Sequence, residues 1–120
     1  MTDFFDKTKL KGNVLASQCP SRQVLQTVTS RWGVLVLVAL QGGTKRFSEL
    51  KRSIDGVSER MLAQTLQNLE QHHIIDRKDF QTVPPHVEYS LTPAGVQIAI
   101  RVRELVSWLE ENWSMLAKGK

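Results

Sequence analysis

Only one cysteine, Cys19, occurs in the sequence. A lone cysteine excludes an internal disulfide framework and leaves either a small inert side chain or a reactive thiol. Long apolar runs are missing too. The densest, WGVLVLVAL at 32–40, falls far short of the roughly 18 residues that suggest a membrane span. It reads as a buried helix, and no membrane partner is expected. The opening MTDFFDKTKLKG lacks the charged-then-apolar order of a secretory signal, which places the protein in the cytoplasm. No Ser/His/Asp set, phosphate-cradling glycine loop or metal-ligand spacing is found, so an enzyme, a metal and a cofactor are not expected. His72 and His73 are adjacent, and helix neighbours point about 100° apart, a poor grip for one ion.

What the chain does have is an ordinary apolar content, 120 residues to bury it in, and a net charge of +4. That length fits one domain with its own core. The basic balance suits an anionic partner, of which nucleic acid is the commonest. Lys7, Lys9 and Lys11 form a basic lead, so residues 1–18 are expected to be a flexible arm and 19–120 the folded domain.

A first helix is expected from Cys19-Pro20-Ser21, with proline tolerated in the first turn. Ser30 caps a second, apolar nearly all round and stopped at Gly42-Gly43. Phe47, Leu50 and Ile54 then share one face of a short helix. Asp55-Gly56 turns the chain, and Ser58 caps a helix to about His72, with Val57 and Leu62 as a hydrophobic staple. Its wheel turns Leu62, Leu66 and Leu69 inward and Arg60, Gln64, Gln67, Asn68 and Gln71 outward. The period then becomes two. IIDRKDF and HVEYSL read as a hairpin whose tip holds Pro84-Pro85, since prolines cannot serve the paired ladder. Thr92-Pro93 opens a long last helix towards Lys118. It carries two apolar seams, Ile98, Val102, Leu105, Leu109 and Leu116, and Ala99, Val106 and Trp113. That is more apolar surface than docking on a small core requires.

This order predicts a mostly α, α+β fold, a winged helix-turn-helix with a two-stranded wing. The Ser58 helix is the candidate reader of the major groove. Glutamine pairs bidentately with adenine and arginine with guanine there. Ser58, Arg60, Gln64 and Gln67 are the candidate base-side contacts. Arg46, Lys51 and Arg52, with Arg77 and His86 near the wing, are the candidate backbone contacts. Each of these sets also reads as an ordinary solvated surface. At Cys19, a helix N-terminus and Arg22 one turn away would favour thiolate.

Three stretches resemble HxlR-type bacterial transcriptional regulators: CPSRQVLQTVTSRWGVLVLVAL, GGTKRFSELKRSIDGVSERMLAQTLQNLE and VPPHVEYSLTPAG. The likeness covers residues 17 to 116. It implies a winged-helix fold, a homodimer built from terminal helices, and binding of palindromic double-stranded DNA to repress or activate. It also implies, for several members, a cysteine at the position of Cys19 that senses oxidants or electrophiles. Two departures stand out. Ser30-Arg31 replace the usual Gly-Lys before the tryptophan, and His72-His73 stand where a glycine usually follows the reading helix. Histidine can adopt the left-handed backbone, at some cost. The competing reading is a winged helix used for protein–protein contact without specific DNA binding.

Overall fold

A computed structural model describes residues 11–117. Lys7 and Lys9 of the basic lead, and Lys118, lie outside the described residues. The order is α1 Pro20–Val28, α2 Arg31–Leu40, β1 Lys45–Arg46, α3 Phe47–Ser53, α4 Glu59–Gln71, β2 Ile75–Asp79, β3 Val87–Leu91 and α5 Pro93–Ala117. The winged helix-turn-helix expected from the pattern is what the chain forms.

α2 and α4 start at the serines that cap them. The Ser30 hydroxyl accepts from the Gly33 N–H at 3.2 Å and donates to the Thr27 carbonyl at 2.8 Å. The Ser58 hydroxyl accepts from the Met61 N–H at 3.1 Å. Val57 and Leu62 are both buried, closing the staple across that cap. Leu62, Leu66 and Leu69 dock α4 on a core built with Val36, Leu37, Leu40, Leu50 and Ile54. Burial of such side chains stabilises by roughly 1.5–3 kcal/mol each. The one buried polar side chain of that core, Thr65, donates its hydroxyl to the Met61 carbonyl at 2.7 Å.

Two expectations need correction. α2 is not buried all round: Leu35 is 37 % exposed, and Val34, Val38 and Ala39 are half-buried. Among the described residues, that flank borders an open groove with Ser53, Ile54 and Asp55. The sheet also has a third strand. β2 and β3 form the expected antiparallel hairpin, and β1 adds to the other edge of β3 through Lys45↔Tyr89 and Arg46↔Glu88. Two residues are too few to show alternation, so β1 is visible only through its pairing.

α4 ends in a Schellman motif. His73 has φ +58° and its N–H donates to the Glu70 carbonyl, while the Ile74 N–H donates to Leu69. The left-handed residue is thus a histidine where glycine is usual. The start of α5 is built onto this loop. The Thr92 N–H donates to the Ile74 carbonyl at 3.1 Å. Its hydroxyl lies 2.8 Å from the His73 carbonyl and 3.0 Å from that of Ile74, and accepts from the Gly95 N–H at 2.9 Å. A Cβ on Gly95 would fall 2.0 Å from the Ile74 carbonyl oxygen. Glycine is required there by close approach, with backbone on the other side of the contact. Gly95→Ala is therefore expected to cost about 2–3 kcal/mol. Urea unfolding of the two proteins measures it, and an unchanged midpoint would contradict this contact.

Candidate nucleic-acid interface

The α3–turn–α4 unit presents one polar helix face. At Gly56, φ +87° lets the chain double back between the two helices. Because Leu62, Thr65, Leu66 and Leu69 are committed to the core, Arg60, Gln64, Gln67 and Gln71 are left exposed on the opposite side. Gln64 donates its amide to the Asn68 carbonyl oxygen at 3.1 Å, and Asn68 is half-buried on the flank away from the wing. Ser58 is committed as the cap acceptor, which leaves its hydroxyl proton free to donate. The sequence-predicted α4 set thus shares one accessible surface, with Ser58 at its N-terminal end.

The remaining predicted contacts divide between two places. Lys51 and Arg52 sit in the last turn of α3, Arg52 exposed and Lys51 half-buried. Arg46 precedes α3, where its N–H donates to the Glu49 carboxylate at 2.8 Å. Its guanidinium reaches the Pro85 carbonyl at 3.4 Å, linking α3 to the tip of the wing. Arg77 and His86 do not come together. Arg77 lies opposite Tyr89, on the face of the wing turned to α4. It is 4.0 Å from the Asp79 carboxylate, both exposed. An exposed pair of that length contributes little to stability. His86 shares the outer face with Glu88, its Nε2 2.7 Å from Glu88 Oε2, and its ring meets Phe80 edge-on at 4.6 Å.

Sequence reasoning missed two side chains of this surface. Lys78 stands over the Phe80 ring at 4.7 Å, beside Glu88 on the outer face. Tyr89 lies on the face turned to α4, and its hydroxyl is a polar group there that the alternation of HVEYSL does not disclose. Register between the strands is what reveals both, and register is not written in either strand alone.

The wing tip is a self-braced turn. The Asp79 carboxylate accepts from the Gln81 N–H at 2.8 Å, and the Thr82 hydroxyl donates to the Pro84 carbonyl at 2.8 Å. Val83 projects from it almost wholly exposed.

Cys19 caps α1 some way along the chain from this surface. Its sulfur is 3.2 Å from the Asn13 N–H and 3.1 Å from the Ser21 hydroxyl. These donors, the Asn13 N–H first, hold the thiol below its usual pKa. The Ser21 backbone N–H adds to the effect without closing a cap hydrogen bond. The cause is thus hydrogen bonding to the sulfur, and the Arg22 guanidinium suggested by the sequence is not part of it. Ser21 also lines an apolar groove of about 380 Å3 between α1 and α5, with Val24, Leu25, Val28, Ile98 and Val102.

Among the described residues no group of three His, Cys, Asp or Glu is placed to hold a metal ion. Nor is any single helix there long and apolar enough to cross a membrane.

The profile of the HxlR-like helix-turn-helix family matches residues 27–116. The chain is 61 % identical over 102 residues to the HTH-type transcriptional regulator YtfH of Escherichia coli K12, covering 85 % of this chain and 81 % of that one. The solved structure of a putative transcriptional regulator ytfH from Salmonella typhimurium superposes with a TM-score of 0.86 at 56 % identity, over 91 % of this chain and 97 % of the other. The redox regulator HypR in its reduced form superposes at 0.75 with 32 % identity, over 82 % and 98 %.

Loss of the Ser21 hydroxyl in Ser21→Ala is expected to raise the Cys19 pKa. A higher pKa moves the rise in thiolate to higher pH, so the variant should alkylate more slowly at neutral pH. The pH profile of the iodoacetamide reaction tests this, and coincident profiles for the two proteins would remove the assigned cause.

Proposed function

The chain belongs to the HxlR-like helix-turn-helix family of DNA-binding transcriptional regulators, and from that premise we propose that it works as a homodimer on a palindromic promoter site. The observation that carries the reading is the outward face of α4. It is polar, amide-rich and unobstructed, while every apolar residue of that helix except Met61 and Ala63 is buried. A protein partner would want apolar anchors on such a face. In this reading Ser58, Arg60, Gln64 and Gln67 address base edges, and Arg46, Lys51 and Arg52 the flanking phosphates.

The homodimer reading rests on α5. Its 25 residues extend about 37 Å at helical rise. Leu105, Leu109, Trp113, Met115 and Leu116 are 40–65 % exposed along it. An apolar run of that length on a charged chain is the mark of an association surface. A second copy related by a two-fold axis would cover both this run and the groove beside α1. It would also hold the two α4 helices about 34 Å apart, as successive major grooves require.

The effector reading rests on Cys19. Its thiolate adds to the electron-poor carbon of an activated alkene, forming an S–C bond as the C=C π bond opens and the adjacent carbon takes a proton from water, or it attacks a disulfide sulfur, forming an S–S bond and expelling the other thiolate. Ser21 touches both the sulfur and the groove, so a group added at Cys19 disturbs the seat of the partner's helix. HypR, a redox regulator 32 % identical to this chain, is a relative whose name carries a response of this chemical kind.

Selection of bound duplexes from a random pool tests the core of this reading. A palindrome with half-sites one turn or a multiple apart is expected, and no enrichment over the starting pool would end it. On the selected duplex Gln64→Ala should cost about 1–3 kcal/mol and relax the preference at one base position. Leu109→Glu places a charge in the α5 seam and should yield a monomer by sedimentation. A dimer that survives it would remove α5 from the interface.

A further inference from the structure

The wing and α4 are separated by a cleft of about 400 Å3, lined by Ala63, Leu66, Gln67 and Glu70 from the helix and by Arg77 and Tyr89 from the strands. The Tyr89 ring is buried, with 9 % of the residue exposed. Its hydroxyl has no hydrogen-bond partner among the described residues. No side-chain polar atom there is both sealed from solvent and unpartnered. The hydroxyl therefore opens into the cleft. A buried phenol with a free proton, beside an arginine and a glutamine amide, is a donor set awaiting an acceptor.

The position says which acceptor. Ala63, Gln67 and Glu70 recur at helical spacing along the flank of α4 nearest the wing. Gln67 also belongs to the exposed face proposed to enter the major groove. A wing that reaches the adjacent minor groove must straddle the sugar–phosphate strand between the two grooves. That strand crosses the cleft.

We propose that this cleft is the seat of one DNA phosphate, gripped by the Tyr89 hydroxyl and the Arg77 guanidinium, with the Gln67 amide at its rim. The assignment rests on the reading of α4 as the groove-reading helix. On binding, Arg77 exchanges its long contact to Asp79 for the phosphate. Glu70 shares the cleft and Asp79 stands close to Arg77, so the site is not a free-standing anion pocket. It does not retain inorganic phosphate, and it fills only when a duplex is delivered by α4.

Tyr89→Phe keeps the ring and removes only the donor. Anisotropy titrations should show about five- to tenfold weaker binding, alike on the selected duplex and on a random one. The slope of affinity against salt should not change, because a neutral donor releases no counterion. Arg77→Gln should weaken binding and reduce that slope by about one. A scan of single neutral methylphosphonates should find one linkage, beside the α4 half-site, where the wild type loses affinity and Tyr89→Phe loses no more. Wild-type affinity in a folded Tyr89→Phe variant, or a loss confined to the selected duplex, overturns the seat and leaves DNA binding standing. Inorganic phosphate bound by the wild type but not by Tyr89→Phe, with DNA affinity equal in both, also overturns it. Absence of any DNA binding by the wild type overturns both readings.

Discussion

The carbonyl of Ile74 is the point on which this fold turns. It accepts the Thr92 N–H, lies within reach of the Thr92 hydroxyl, and comes so close to Gly95 that no side chain fits. α4 ends one Schellman turn before it, β2 begins one residue after it, and α5 starts from the groups that bind it. The reading helix, the wing and the long helix therefore leave one rigid junction. Buried backbone groups must be paired, and here one loop's carbonyls are paired by the cap of the next helix. These hydrogen bonds tie the start of α5 to the end of α4 and the start of β2, which is the connection a regulator needs if a signal at α1 and α5 is to alter the setting of α4.

The parts of this junction that use side-chain chemistry were legible in the sequence. Ser58 and Thr92-Pro93 announce helix starts, and Pro84-Pro85 announce a hairpin tip. What was not legible depends on register and distance. β1 is two residues long and exists only because Lys45 and Arg46 lie along β3. Arg77 was placed near the wing from its neighbours, but its face follows from pairing with Tyr89. The first donor at Cys19 comes from Asn13, six residues upstream, in a stretch with no period to read. The exposed flank of α2 escaped because apolar composition tells how much surface a helix must bury, and not whether the partner lies in the same chain.

Charge is distributed unevenly over the parts proposed to meet DNA, and in that reading it assigns them different work. From Lys45 to Arg52 four cations face one carboxylate, Glu49. From Ile75 to Glu88 two cations, Arg77 and Lys78, face three carboxylates, Asp76, Asp79 and Glu88. In the proposed complex, phosphate attraction then comes chiefly from the α3 side, where contact would release counterions. The wing cannot act as a basic patch. Its acids orient its own groups: Asp79 braces the tip through Gln81, and Glu88 holds His86. A wing of balanced charge adds little long-range pull on random DNA. It offers shape, a fixed apolar tip and a few placed donors, and these count only once α4 has found its groove. Association driven from one side and registered from the other favours the correct site over the many wrong ones.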